Sequence, residues 1–522
     1  TDESETVSSG AVQIGNPIEE KKVCDVLLRA RDEGLYSAIT DCGAGGLSSA
    51  VGEMGEKLGA KVFLEKVPLK YQGLRYTEIW ISESQERMVM SVAPDKIDRL
   101  MQVCASEQVE AAVIGEFTGR GWLELYYDGC QVCDLDMKFL HDGLPNITKD
   151  AIYKPPSLKA EKYACPTNLT NSLKSVLGHY NVSSKEAIVR RYDHEVQGGS
   201  VIKPFVGVAF DGPSDAAVLR PRLGSDQGIA ISNGINVRFG MIDPYWMAAS
   251  CIDEAIRQII SVGGNLKQIA LLDNFCWGNP DKPDRLGGLV RAAQGCYKAS
   301  VAFGAPFISG KDSLYNEYTE GGKSIAIPGT ILISAIGIID DVNACVTMDL
   351  KKAGNYVYVV GKTFDEMGGS IYNDIQGELG RDVPKVNFVK AVEVFDALSQ
   401  AVKKGLAASV HDCSEGGIGV AISEMAFSGG LGVSVDLSKV IYSGKRRRND
   451  VIMFSESNSR FVVEVEQRNQ RKFEALLKDV SYALIGQVES AQEVVIKGLD
   501  GTICAHADTH ALKEIWKKPL DF

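Results

Sequence analysis

Apolar residues recur along this chain with two periods, one helical and one extended. Across residues 19–33, Val23, Val26, Leu27 and Ala30 share a helical face while Lys21, Lys22, Arg29 and Asp32 take the remainder, which predicts an amphipathic helix. The same reasoning predicts helices over 95–105, 244–262 and 286–303. In the 244–262 segment Ala248, Ile252, Ala255, Ile256, Ile259 and Ile260 form the expected buried stripe, with Asp253, Glu254, Arg257 and Gln258 on other faces. Short apolar runs at 88–92, 112–115, 269–272 and 330–337 read as strands. Helices interleaved with strands indicate an α+β protein.

The pattern repeats. Thr40-Asp41-Cys42-Gly43-Ala44-Gly45-Gly46-Leu47 returns 371 positions on as His411-Asp412-Cys413-Ser414-Glu415-Gly416-Gly417-Ile418. Asn16 precedes Asp41 by the same 25 residues that separate Asn387 from Asp412, and Glu53 and Glu424 each follow their aspartate by 12. Glu83-Ser84-Gln85-Glu86-Arg87-Met88 has its counterpart in Glu456-Ser457-Asn458-Ser459-Arg460-Phe461, and Val113-Ile114-Gly115-Glu116 in Leu484-Ile485-Gly486-Gln487. Landmarks in one order indicate a duplicated domain. The expected layout is a first copy over 1–150, a linker over 151–185, a unique domain over 186–345, the second copy over 346–510 and a tail over 511–522. Written by letters it is B-A-B.

Composition narrows the class of function. At 522 residues there is length for three or four domains, and the 45% hydrophobic and 24% charged content is that of a globular protein. A net charge of −12 disfavours a general nucleic-acid binder. The one basic run, Lys445-Arg446-Arg447-Arg448, sits between Ser443-Gly444 and Asn449-Asp450 and reads as a solvated loop. No apolar run is long enough for a membrane span, and the acidic start is unlike a signal peptide, so a cytoplasmic location is expected. The twelve cysteines lack regular spacing and fit free thiols, and Cys130-Gln131-Val132-Cys133 has no second pair to complete a zinc site.

The repeated turn carries the candidate chemistry. A carboxylate at a strand end, then glycines, then a helix start can turn backbone N–H groups towards an anion while the carboxylate holds a divalent cation against it. This is the arrangement that a polyphosphate needs. His411 stands where the first copy has Thr40, and since adjacent strand residues face opposite sides it is expected to pack rather than react.

Gln13-Ile14-Gly15-Asn16-Pro17, Asp41-Cys42-Gly43-Ala44-Gly45-Gly46-Leu47, Glu83-Ser84-Gln85-Glu86-Arg87-Met88, Asp273-Asn274-Phe275 with Gly278-Asn279-Pro280, and Ser309-Gly310-Lys311-Asp312-Ser313-Leu314-Tyr315-Asn316-Glu317 closely resemble the synthetase part of phosphoribosylformylglycinamidine synthase, across nearly the whole chain. The resemblance implies an AIR synthetase-like fold with a ferredoxin-like half-barrel A domain. It also implies an ATP-dependent, magnesium-dependent ligase of purine biosynthesis acting on formylglycinamide ribonucleotide. It assigns substrate contacts to Gln13, Glu83, Ser84, Gln85 and Ser313, ATP contacts to Asp273 and Gly310, and magnesium to Asp41. Where several stand-alone members carry a metal-binding Asn, this chain has Lys311, which would meet a phosphate of ATP as a point charge rather than ligate a metal.

A second cleft is implied at Asp215, Glu254 and Asp412, with Gln258 where an Asn is common. Three carboxylates raise one another's pKa when gathered, a repulsion that magnesium with a bound nucleotide such as ADP would relieve. The family's catalytic histidines lie in a first A domain, and no copy of their motifs occurs here. The chain is thus expected to lack catalytic residues of its own. It is expected to need that A domain from elsewhere, or to pair with a second copy through its own A domain, and to receive ammonia from a glutaminase subunit, with a small bridging subunit as a further partner.

Overall fold

The computed structural model describes residues 12–521 apart from 14, 71–72 and 193, with only the backbone of 12 and 13. It divides into two compact units, Thr1–Thr148 and Lys149–Phe522.

Unit 1 is built around the helix Pro17–Asp32, capped by the Asn16 side chain accepting from the Ile18 N–H at 3.1 Å. After it come the strand Ala38–Asp41, the helix Leu47–Met54 and the strand Ala60–Phe63. Ala38–Asp41 pairs with Met88–Ser91, and a separate four-stranded sheet runs in the order Gly115–Phe117, Ala60–Phe63, Trp122–Tyr127, Cys130–Asp136. The strand expected at 112–115 begins only at Gly115.

In unit 2 the second copy repeats these elements with the same caps. Pro17–Asp32 corresponds to Phe388–Lys403, whose cap Asn387 accepts from the Lys390 N–H at 3.2 Å, and Ala38–Asp41 corresponds to Ser409–Asp412. Here seven strands form one sheet, in which Tyr356–Val360 lies antiparallel to Phe461–Val465 on one side and to the central strand Tyr482–Glu489 on the other. Tyr358 and Val360 pack into one core of unit 2, and Val357 and Val359 into the other. Among the described residues of unit 1, the pair Ala38–Asp41 and Met88–Ser91 is separate from the four-stranded sheet, whereas in the second copy Ser409–Asp412 and Phe461–Val465 belong to the seven-stranded sheet.

Residues 511–522, expected to be a tail, lie largely in the helix Thr509–Lys517 and the turn after it, with Leu512 and Trp516 buried in the second copy's core. This helix is the counterpart of Met137–Asp142 in unit 1, and both are capped by an aspartate, Asp508 and Asp136. The 151–185 stretch likewise contains the helix Thr170–Leu177, whose Leu173, Val176 and Leu177 join the same core. The basic run is a solvated loop only at Lys445 and Arg447, which are exposed. Arg446 pairs with Asp365 at 2.7 Å and with Glu161, and Arg448 pairs with Asp450 and lies over the Tyr163 ring.

The unique domain is a six-stranded sheet ordered Phe307–Ser313, Ile269–Cys276, Thr330–Ile339, Gly228–Ile235, Ala217–Leu219, Ser200–Ile202. One face packs on the helices Pro244–Ser261 and Pro283–Phe303. The other carries Ile231, Ile235, Ile336 and Ile338, each 37–41% exposed, with Ile231 paired to Ile336. Pro244–Ser261 is buried on every side, because the second copy covers the face that carries its polar residues; Asp253, Glu254 and Arg257 are all buried.

Candidate active site

In unit 1 the glycine turn depends on backbone conformations that side chains resist. Gly45 and Gly46 have φ of 85° and 56°, and a Cβ on Gly46 would stand 2.2 Å from the Ser82 carbonyl oxygen. That close approach lays the Glu83–Gln85 loop against the Asp41 turn. The Cys42 N–H donates to the Arg87 carbonyl at 3.0 Å and the Ser84 N–H to that of Cys42 at 3.4 Å. Glu86, itself at φ 61°, accepts from the Asn16 N–H at 3.2 Å and from Lys70 Nζ at 3.0 Å. A Cβ on Gly15 would collide with that carboxylate at 2.0 Å, which accounts for the glycine before Asn16.

Gln13 lies beside the loop through parallel strand pairing, Val12 opposite Glu83 and Gln13 opposite Ser84; its side chain lies outside the described residues. Glu83 is half-buried and accepts from Gln85 Nε2 at 3.2 Å, Ser84 is buried, and Asp41 and Gln85 are exposed. Unit 1 thus gathers Gln13, Asp41 and Glu83–Gln85.

The remaining candidates for the same role lie in unit 2. The strand expected to stop at 272 continues to Cys276 and pairs in parallel with Phe307–Ser313, so that Asp273 faces Gly310, Asn274 faces Lys311 and Cys276 faces Ser313. A Cβ on Gly310 would sit 2.2 Å from Asp273 Oδ1. Burial, with help from the charge of Asp312, raises the Asp273 pKa above the usual carboxylate value. Lys311 is exposed at the open sheet edge, and Ser313 Oγ accepts from Asn316 Nδ2 at 3.2 Å. A cavity of about 590 Å³ elsewhere in unit 2, lined by Ile242, Trp246, Arg291 and Glu366 among others, includes none of the candidate residues.

The second cleft differs from the expectation. Asp215, His411 and Asp412 bring potential ligand atoms within 4.8 Å of one another, and Glu254 is not part of that group. Instead the Glu254 carboxylate accepts from the Ile235 N–H at 3.1 Å, and Gln258 from the Asn233 N–H at 3.3 Å. His411 does not merely pack. Its Nδ1 lies 3.0 Å from Asp215 Oδ1 and its Nε2 2.9 Å from Glu424 Oε2. The same Asp215 oxygen accepts from the Asp412 N–H at 2.9 Å.

Burial opposes a charged imidazole, but Asp215 and Glu424 outweigh it and raise the His411 pKa well above its ordinary value. Burial likewise opposes the Asp412 carboxylate, and Arg257 and His411 outweigh it, so that its pKa is lowered. Burial pushes Asp215 up to about 6. It raises Glu415 to about 7 and Glu456 to about 8, and burial with the neighbouring Glu415 raises Glu254 well above the carboxylate range.

Magnesium takes oxygen ligands in near-octahedral geometry and retains waters. The first corner offers such an ion one exposed carboxylate, Asp41, beside a glycine turn; at the second, Asp412 Oδ2 and both His411 nitrogens already have protein partners. Sequence reasoning set Arg257 off the buried stripe without giving it a role, and did not single out Glu415 and Glu456. The Asp412-to-Glu424 spacing was visible, and its meaning is the His411 contact.

These folds and turns define an AIR synthase-related protein. The family described as AIR synthase related protein, C-terminal domain, matches residues 1–128 and 352–498, and its N-terminal domain counterpart matches 213–339. Phosphoribosylformylglycinamidine synthase subunit PurL of Deinococcus radiodurans is 34% identical over 98% of this chain and 68% of its own length. That of Methanocaldococcus jannaschii is 35% identical over 94% of this chain and 65% of its own. Thermotoga maritima PurL complexed with ATP superposes with a TM-score of 0.63 at 22% identity, covering 91% of this chain and 68% of that one, a likeness of fold.

The chain belongs to the phosphoribosylformylglycinamidine synthase subunit PurL family, ligases of purine biosynthesis. It spans about two thirds of the length of the curated relatives it matches. Among the described residues no helix is long and apolar enough to cross a membrane.

Proposed function

We propose that this chain supplies part of the site for ATP-dependent conversion of formylglycinamide ribonucleotide to formylglycinamidine ribonucleotide. The amide oxygen of the substrate attacks the γ-phosphorus of ATP and ADP departs. Ammonia then adds to the activated carbon, phosphate leaves with the former amide oxygen, and loss of a proton yields the amidine. Charge neutralisation around the phosphates is the main physical demand. Magnesium at Asp41, when bound, would supply Lewis-acid neutralisation of the phosphate oxygens. The glycine turn and the N-terminus of Leu47–Met54 offer backbone N–H groups to an anion. Within unit 1, Gln13, Glu83, Ser84 and Gln85 contact the ribonucleotide; within unit 2, Asp273 and Gly310 contact ATP, Lys311 meets a phosphate and Ser313 contacts substrate.

The observation that supports this reading is the assembly within unit 1 of segments distant in sequence, Val12–Gln13 against Glu83–Ser84 and both beside the Asp41 turn. The apolar open face of the unique sheet favours a further N-type domain, or a second copy of this chain, as its cover. The solved assembly named PurLQS from Thermotoga maritima supports partner subunits for this chain; a glutaminase subunit as the ammonia source and a cytoplasmic setting belong to the same proposal.

Calorimetric titration with formylglycinamide ribonucleotide, with and without ATP, is the test. Binding that weakens at least tenfold in Ser84→Ala and Gln85→Ala supports the assignment. Binding that ignores both variants removes it.

A further inference from the structure

The second glycine corner departs from the first at the positions that matter for an anion and its cation. Gly43-Ala44 of the first copy is replaced by Ser414-Glu415. The Gly416 N–H donates to Glu456 Oε1 at 2.8 Å, and that oxygen also accepts from the Ile371 N–H at 2.8 Å. A protein carboxylate therefore stands where a phosphate oxygen would accept.

Arg257 makes the matching change on the cationic side. Its Nε donates to Asp412 Oδ2 at 2.9 Å, its Nη1 to Asp253 Oδ1 at 2.6 Å and Asn458 Oδ1 at 3.5 Å, and its Nη2 to Ser414 Oγ at 2.9 Å and the Cys413 carbonyl at 3.4 Å. A guanidinium has five N–H groups, and here each has an acceptor. The acceptors come from the helix Pro244–Ser261 and from two segments of the second copy, 412–414 and 458. With its side chain 4% exposed, the group is held in a single geometry. His411, bridging Asp215 and Glu424, occupies the other flank.

We propose that Arg257 is a built-in replacement for the divalent cation of a nucleotide, and that the Glu456 carboxyl oxygen takes up the turn N–H that a phosphate oxygen would otherwise accept from. The cleft at Asp412 is thus closed to magnesium–nucleotide and works as an ion-paired joint between the unique domain and the second copy. A fixed guanidinium on Asp412 keeps that carboxylate paired without a diffusible ion, which removes the need for a cation that the acidic cluster would otherwise have. This goes beyond the proposed activity and stands or falls independently of it, since it concerns the other corner.

The test uses the full chain, with Mn2+ binding read by electron paramagnetic resonance and Mg·ADP binding by calorimetry. Any binding by the unaltered chain is expected to stay within twofold in Asp412→Asn, and a chain that binds neither probe agrees equally. Arg257→Met, where it folds, is expected to gain one bound Mn2+, and a folded variant without that gain overturns the cation replacement. Should Arg257→Met not fold, the Asp412→Asn comparison decides. Tenfold loss of Mn2+ or Mg·ADP binding in Asp412→Asn overturns the proposal outright.

Discussion

Gly310→Ala isolates the contact between two neighbouring strands of the unique domain. A Cβ at this position would lie 2.2 Å from Asp273 Oδ1, whereas ordinary van der Waals contact begins near 3.4 Å, so the carboxylate must retreat by roughly 1 Å. The backbone tolerates alanine here, because Gly310 has no positive φ and is solvent-exposed in an extended strand. Strand stability should be unchanged or slightly raised, by about 0.5 kcal/mol. If Asp273 positions ATP, a shift of about 1 Å lowers kcat/KM by about 100-fold, equivalent to about 2.7 kcal/mol of transition-state stabilisation. The assay is ADP release with formylglycinamide ribonucleotide and ammonium, in an assembly that includes a further N-type domain, alongside a thermal melt. Activity within threefold of the parent refutes the role given to Asp273, and a large fall in melting temperature refutes the claim that the strand is undisturbed.

Trp516→Ala should destabilise unit 2 by about 3–5 kcal/mol in urea denaturation, since the ring is 2% exposed, packs on Phe427 with centroids 5.3 Å apart and donates from Nε1 to the Val182 carbonyl at 2.9 Å. A loss below 1 kcal/mol contradicts the inclusion of Thr509–Lys517 in the core. Glu456 has its pKa raised by burial to about 8, so the folded state holds a proton that the unfolded state releases near the ordinary carboxylate value. Its contribution is full below about pH 4.5 and is lost as pH rises towards 8. Glu456→Gln retains an oxygen acceptor for Gly416 and Ile371, so melting curves between pH 5 and 8 should show a flatter decline than the parent's; an unchanged slope contradicts this protonation.

Most elements were legible because their signals are local. The helix Pro17–Asp32 follows from an Asn cap, a proline in the first turn and a period of 3.6, and its copy Phe388–Lys403 has the same cap at the same offset. The final helix was read as a tail because only the strand geometry of the second copy shows that Trp516 has a pocket to enter. Arg446 was read as solvated because its partners Glu161 and Asp365 lie far off in sequence.

The order of residues alone determined the duplication, the glycine corners and the pairing of an aspartate with each, because these are statements about spacing and backbone freedom. That Gln13, Asp41 and Glu83 belong to one set was implied by the family resemblance of their motifs. Tertiary structure decided what each corner became. In unit 1 the aspartate remains exposed beside its turn. In unit 2 the Pro244–Ser261 helix brings Arg257 onto Asp412, and Glu456 folds back onto Gly416. Those contacts join residues 155 and 40 positions apart, and at such distances only packing, not sequence periodicity, determines whether a charge meets solvent, an ion or another side chain.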